Sequence, residues 1–379
     1  MLAESAHSDL NEAQRFLDDV FERAVRLVED GVAPEVDALI DGHDALRAEV
    51  ERLIWLAQHV AMAPGSRLPA FAGFTVLQEL GRGGMGAVYL ARQESLGGRP
   101  VALKVLPQSA GLSSRARDRF LVEARAIAKL RHPNVVAVHD VVQQDGVCAY
   151  AMEWVDGTSL ASLIDFLTAQ FTAGGTRTRD GATMEHIRAG LGNEAGLNEA
   201  SPVVFFVRIG LAMARALAVV HKAGLLHRDV KPSNILLRRD GTPLLADFGL
   251  VKDADSSLHT QAGQFAGTVA YAPPEQLRGE TEAIDARSDV YALGVTLYHA
   301  LALKLPFEAR EPAGMLRRIE FGAALPLRAV NPRVPRDLET IVAAAMEADP
   351  ARRYQSADEM ADDLERLLSF QPIRARPSD

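Results

Sequence analysis

The chain has 379 residues, 48% hydrophobic and 24% charged, with a formal net charge of −9 and one cysteine, Cys148. That is the make-up of a soluble globular protein with room for a two-lobed domain and an appendage. The acidic balance leaves no basic footprint for nucleic acid, and a lone cysteine excludes an internal disulfide and fits a reducing compartment.

Residues 1–62 read as helical. Leu10, Ala13, Leu17, Val20, Ala24 and Leu27 recur at spacings of three and four, the mark of one apolar helix face. Asp9 and Glu12 form a capping-box pattern, Gly31 is a stop, and Pro34 opens a short second helix at its first position. A third helix is expected from Asp44, with Leu46, Val50, Leu53, Ala57 and Val60 or Ala61 inward. Two readings stay open for this region: a small bundle packing on itself or its neighbour, and a docking or dimerisation module. The N-terminus lacks a basic-then-apolar leader. Residues 63–73, with Ala63-Pro64-Gly65-Ser66, read as a linker.

From Phe74 the period changes. Phe74–Leu80, Ala87–Ala91 and Val101–Leu106 read as strands separated by glycine-rich turns. A helix is expected over 114–130, then strands at Val135–Val142 and Val147–Glu153. After Asp156-Gly157 the chain reads as mainly helical, which gives a small strand-rich lobe and a larger helical one. The stretch between Phe166 and Pro202 is rich in Gly, Ala and Thr, with one short helix near Met184–Leu191, and is expected to be a disordered or loosely folded surface insertion. The apolar run Val290–Leu303 is too short to span a bilayer, and Val203–Leu226 is interrupted by Arg208, Arg215, His221 and Lys222. A cytoplasmic protein without a membrane span is expected.

Three stretches carry chemistry. Gly81-Arg82-Gly83-Gly84-Met85-Gly86-Ala87-Val88 lies between two strands, where glycines let backbone N–H groups approach phosphate oxygens without a Cβ clash. Lys104 sits mid-strand in Val101-Ala102-Leu103-Lys104, where its charge needs a partner; nucleotide phosphates and Glu123, on the expected helix, are the candidates. His227-Arg228-Asp229-Val230-Lys231-Pro232-Ser233-Asn234, followed by Asp247-Phe248-Gly249, gathers two carboxylates, an ammonium and an amide oxygen. Those groups are suited to positioning a hydroxyl, covering a transferring phosphoryl group and holding divalent metal.

This ordered series, covering residues of about 74–370, resembles the eukaryotic-type (Hanks-type) serine/threonine protein kinases of bacteria, whose signature motifs form a known set. The resemblance implies an α+β, two-lobed protein-kinase-like fold, with an antiparallel-sheet lobe at 74–153, a helical lobe at 157–370 holding the insertion at about 167–201, and a polar tail at 371–379. It implies ATP as cofactor with Mg2+, or Mn2+ in its place, and protein substrates with Ser or Thr acceptors. Asp229 then orients the acceptor hydroxyl and takes its proton; with a carboxyl pKa of about 4 it is a weak base, so positioning is the firmer role. Lys231 neutralises the γ-phosphate, Asn234 and Asp247 hold metal, and Lys104, braced by Glu123, grips the α- and β-phosphates. Leu80, Gly81, Gly83 and Gly86 belong to the loop over the nucleotide. The adenine is expected between the lobes, with Val88 and Ala102 above it, Leu236 below, Met152 as gatekeeper, and the Glu153 carbonyl and Val155 N–H on its edge.

By the same resemblance, Lys231 and Thr268 favour Ser/Thr over Tyr acceptors. Arg228 is expected either to pair with a phosphorylated residue among Ser256, Ser257, Thr260 and Thr268 or to be structural. Glu275 is expected to pair with Arg353, and Asp289 to anchor the catalytic loop. A pseudokinase-like nucleotide-binding scaffold is the alternative, but Lys104, Asp229, Asn234 and Asp247 are all present. A small-molecule kinase is a third reading, disfavoured by the activation segment from Asp247 to Glu275. Regulatory input is expected through the N-terminal helices, the insertion or a partner.

Overall fold

The computed structural model describes residues 71–83, 86–105, 122–144, 147–173, 184–192, 201–248, 269–307, 312–322 and 324–376, with Leu197, Glu199 and a set of positions between 16 and 54. The chain divides into two compact units, Met1–Gln108 with Val142–Trp154 and Ser109–Val141 with Val155–Asp379.

In the first unit, the described N-terminal residues form their own core. Val20, Ala24, Leu39, Ile40, Val50 and Ile54 are buried together, with Phe16, Leu27 and Val36 partly buried against them. Helix α1 (Val36–Leu39) begins after Glu35, whose backbone is still extended, so Pro34 precedes the helix and does not open it. Ile54 fills a core position, while Leu53 and Ala57 lie outside the described residues.

Strands β1 (Phe74–Gly83), β2 (Gly86–Gln93), β3 (Arg99–Val105), β4 (Val138–Gln144) and β5 (Val147–Glu153) make a five-stranded antiparallel sheet in the order β1-β2-β3-β5-β4. Val88 pairs with Lys104, Leu90 with Ala102, Ala102 with Met152 and Lys104 with Tyr150. Directly opposed residues, and those two apart along a strand, share a face. Val88, Leu90, Ala102, Lys104, Tyr150 and Met152 therefore line one face. The other face carries the buried cluster of Phe71, Phe74, Ala91, Val101, Leu103, Ala149 and Ala151.

The second unit is mainly helical, but it also holds a small sheet that the sequence reading lacks: β6 (Gly157–Ser159), β7 (Ile235–Arg238) and β8 (Pro243–Leu245), in that order. Val135, expected in a strand, instead makes an isolated parallel bridge to Leu245. Of the helix expected over 114–130, residues 122–127 are described and helical, with Ala124 and Ile127 buried.

Helix α2 (Leu160–Ala173) receives α3 (Met184–Gly190) from the insertion. The insertion is not loosely folded where it is described: Ile187, Leu191 and Leu197 are buried, and Arg188 Nη2 donates to the Leu197 carbonyl at 2.7 Å. Leu197 lies over Gly241, where φ is +84° and a Cβ would come within 2.6 Å of the leucine side chain. Its Gly/Ala/Thr-rich composition hides a few apolar side chains that suffice to dock it.

Helix α4 (Pro202–Lys222) starts at Ser201, whose Oγ accepts from the Val204 N–H. It is long and apolar enough to cross a membrane, but most of its apolar stretch is buried in the protein. Beyond the short helix α5 (Pro274–Leu277), α4 packs against α6 (Ala286–Ala302). A Cβ on Gly210 of α4 would meet Leu297 of α6 at 2.7 Å, so any larger residue there would have to displace that leucine. Helices α7 (Pro312–Glu320), α8 (Leu327–Val330), α9 (Arg336–Ala345) and α10 (Ala357–Leu368) complete the unit. Ion pairs Arg215–Glu365 and Lys222–Asp358 join α4 to α10 at the surface, where such pairs contribute little. The segment expected to be a polar tail is strapped to α10. Buried Asp363 accepts from the N–H groups of Arg374 and Ala375, at 2.7 and 2.8 Å, and from the Tyr354 hydroxyl at 2.9 Å.

The expected Glu275–Arg353 pair is present, bidentate at 2.7 and 2.8 Å, with side-chain exposures of 1% and 0%. Ser288 Oγ donates to Glu275, Arg353 donates to the Glu347 and Ala348 carbonyls, and its guanidinium lies 4.8 Å from the Tyr291 ring centroid. Removing one partner leaves a buried charge without its counter-ion. Arg353→Ala is expected to lower folding stability by about 3–5 kcal/mol, measured by urea denaturation, and a loss under about 1 kcal/mol would contradict this account.

Candidate active site

The site begins from a buried carboxylate. Asp289, in the first turn of α6, accepts the N–H of His227 on Oδ2 and the N–H of Arg228 on Oδ1, each at 2.8 Å, and meets His221 Nε2 at 2.9 Å. Burial pushes its carboxyl up, but the bonds from His221 and from the His227 N–H outweigh this and hold it below the usual carboxylate range. Arg228 is drawn into a left-handed backbone conformation with φ 62°. Asp289 thus fixes the backbone that leads into Asp229, as expected. His221 closes the far end of this network and was missed in the sequence, where it reads only as a polar break in a greasy stretch.

His227 is fully buried and its tautomer follows from its neighbours. Nε2 lies 3.0 Å from the Ala246 carbonyl, which can only accept, so Nε2 carries the proton. Nδ1 is then bare and accepts the Asp229 N–H at 3.3 Å. Burial lowers the pKa of the ring, partly opposed by Asp289 and Asp229. The neutral ring packs tilted against Phe248, with centroids 4.7 Å apart, and so links the His227–Asp229 stretch to Asp247-Phe248.

Asp229, buried, reaches Lys231 Nζ from Oδ2 at 3.0 Å. Asn234, in the 3-10 turn Pro232–Asn234, donates Nδ2 to the Asp229 carbonyl at 2.8 Å and to Oδ2 at 3.0 Å. Those two bonds orient the Asn234 amide and leave Oδ1 as an acceptor-only atom. Asp247, two residues past the end of β8 at Leu245, has φ 60°, a conformation that costs a non-glycine residue roughly 1–2 kcal/mol. The structure therefore brings Asp229, Lys231 and Asn234 into direct contact, with Asp247 joined to them through the His227–Phe248 ring contact.

Leu236 alternates with fully buried Ile235 and Leu237 on β7 yet is itself half-exposed, which leaves one face of that strand open. Val155 and Glu123 are half-buried in the same unit. In the other unit, Lys104 is 6% exposed on the sheet face it shares with Val88, Ala102 and Met152, and Glu153 ends β5. Gly81, Gly83 and Gly86 lie where β1 turns into β2; Gly86 has φ 123°, open to glycine alone. Leu80 is exposed beside a register shift in β1. Ser256, Ser257, Thr260, Gly267 and Thr268 lie outside the described residues.

Oxygen atoms of Asn234 and Asp247 suit a hard divalent cation. Among the described residues no group of three or more His, Cys, Asp or Glu could hold a metal. This donor set fits an ion that completes its shell with water and nucleotide phosphates.

The neutral His227 has a consequence for stability. Its pKa is lower folded than unfolded, so the unfolded chain takes up a proton that the folded one refuses, and stability falls as pH drops below about 6.5. A denaturation series from about pH 5 to 8 is expected to show a shallower pH slope for His227→Phe than for the parent chain.

The model of the protein kinase domain family matches residues 74–364. The chain is 38% identical over 307 residues to the serine/threonine-protein kinase PknF of Mycobacterium tuberculosis, covering 79% of this chain and 56% of PknF. It is 35% identical over 294 residues to a probable serine/threonine-protein kinase of Clostridium perfringens, covering 78% of this chain and 38% of that protein. It therefore spans about half or less of the length of these relatives. The crystal structure of the M. tuberculosis PknI kinase domain superposes with a TM-score of 0.56 at 30% identity, covering 79% of this chain and 98% of that one. With the ordered motifs and the two-unit fold, these matches place the chain in the protein kinase family.

Proposed function

We propose that this chain is an ATP-dependent serine/threonine protein kinase, transferring the γ-phosphoryl group of Mg-ATP to Ser or Thr hydroxyls of proteins and to itself. The observation that carries the reading is the Asp229 carboxylate, held at once by Lys231 and Asn234 on a backbone clamped by Asp289. Bound Mg-ATP supplies the phosphoryl group and charge neutralisation. Asp229 orients the acceptor hydroxyl and receives its proton. Lys231, already beside Asp229, neutralises charge on the transferring group. Asn234 and Asp247 hold the metal through oxygen, and Lys104, with Glu123 as its brace, holds the α- and β-phosphates.

Val88, Ala102, Met152, Glu153, Val155 and Leu236 are the proposed adenine contacts, with Leu80 and the glycines over the phosphates. The half-exposed Leu236 between fully buried neighbours supports its part in this. Lys231-Pro232-Ser233-Asn234 and the names of the relatives favour Ser/Thr acceptors. A reducing, cytoplasmic setting is part of the proposal and suits the buried free thiol of Cys148. Docking or dimerisation through residues 1–62 is less favoured, since most of the large apolar side chains described there are used in their own core, Val32 being the exposed exception.

The test is phosphate incorporation from Mg-ATP into the chain and into myelin basic protein, read by mass spectrometry. Asp229→Asn is expected to lower the rate about 10²–10⁴-fold with ATP still bound by calorimetry. A parent chain that binds ATP but transfers nothing would favour a nucleotide-binding scaffold, and an Asp229→Asn variant at parental rate would remove Asp229 from the chemistry.

A further inference from the structure

Tyr271 lies between Gly267-Thr268 and Glu275, within the described stretch from 269 that leads to the buried Glu275–Arg353 pair. Its hydroxyl is 2.7 Å from Nδ1 of His299, on α6, with both side chains half-buried. Helix α6 thus touches this part of the molecule at three places: Asp289 on the catalytic-loop backbone, Ser288 on Glu275, and His299 on Tyr271. Of these three contacts only the last is made by a histidine side chain, which can change protonation near neutral pH.

We propose that His299 is a positioning residue for the protein acceptor, acting through Tyr271 as a proton-sensitive clasp on the stretch that runs from 269 to Glu275. This rests on the kinase reading and goes beyond it by naming what sets the seat of the acceptor-side segment.

The direction of the bond follows from the surroundings. Burial raises the pKa of the Tyr271 phenol, aided by the charge of Asp165, so the hydroxyl keeps its proton. Burial lowers the pKa of His299, opposed by Asp165, so the ring is neutral near pH 7. Among the described residues no other group bonds the Tyr271 hydroxyl, which makes Nδ1 its acceptor and leaves the ring proton on Nε2. Asp165, on α2, is the charged group that acts on both members from the packed elements. Protonating His299 removes the acceptor and places a cation in a half-buried site, so acid loosens the clasp.

The experiment uses the full chain with myelin basic protein and compares Tyr271→Phe, which loses the hydroxyl, His299→Leu, which loses the acceptor, and His299→Asn, whose amide oxygen takes the place of Nδ1 and does not titrate. At neutral pH, Tyr271→Phe and His299→Leu are expected to raise KM for the protein about fivefold, the size of one lost hydrogen bond, with KM for ATP unchanged. His299→Asn is expected to restore most of the loss. Because burial lowers the His299 pKa, KM for the protein in the parent chain is expected to rise only at pH values under the ordinary histidine value of about 6.5, and to stay flat in His299→Asn. Amide exchange of 269–275 at one fixed pH, faster in Tyr271→Phe and parental in His299→Asn, reads the clasp without any transfer. Unchanged exchange and unchanged protein KM in Tyr271→Phe would overturn the proposal. So would equal changes in the KM values for ATP and protein. A parent chain with no transfer but with the exchange pattern intact would instead refute the kinase reading and leave the clasp standing.

Discussion

A carboxylate with almost no access to water is costly unless it is hydrogen-bonded, and Asp289 is bonded on both oxygens by taking backbone N–H groups from a loop far away in the chain. The arrangement cannot be loosened gradually. If the loop withdraws, a buried charge is left unsatisfied, so the loop is held as firmly as the helix core that carries Asp289. Arg228 and Asp247 both sit in left-handed backbone at non-glycine residues, and such strain persists only where surrounding contacts over-determine it. Asp289 supplies those contacts for Arg228. The reactive groups that follow inherit their positions: Asp229 from the backbone just behind it, Lys231 and Asn234 from Asp229, and Phe248 from the His227 ring.

Helix α6 can bear this load because it is buried on almost every side. Residues from Ser288 to Tyr298 are all buried, which is the pattern of a core helix rather than a surface one. Gly294 lies so close to α9 that a Cβ would meet Ala345 at 2.8 Å. The position of Asp289 is therefore set by packing from several helices at once.

Much of this was legible in the sequence where the determinant is local. Alternation of apolar residues and glycine turns marked β1, β2, β3 and β5 to within a few residues, and the motif spacings brought Asp229, Lys231 and Asn234 together as expected. What escaped depends on partners distant in the chain. His221 gains meaning only when α4 brings it to Asp289, and Tyr271 only when α6 presents His299. The small sheet β6-β7-β8 is built from very short strands with no period to detect. The insertion looked unstructured because composition averages over residues, whereas docking needs only Ile187, Leu191 and Leu197 on the correct side. The tail looked polar for the same reason, although what holds it is its backbone N–H groups on Asp363.

Asp289 and His299 lie on one continuous helix, so their separation is a fixed length of about 1.5 Å per residue and a fixed rotation of about 100° per residue. Side chains along that stretch can change, provided the packing is kept. The number of residues cannot, because one inserted or deleted residue would turn one anchor away from its partner while leaving the other in place. Helix α6 acts as a ruler, and the spacing between its anchors, more than the identity of the residues between them, is what divergence in this chain has to preserve.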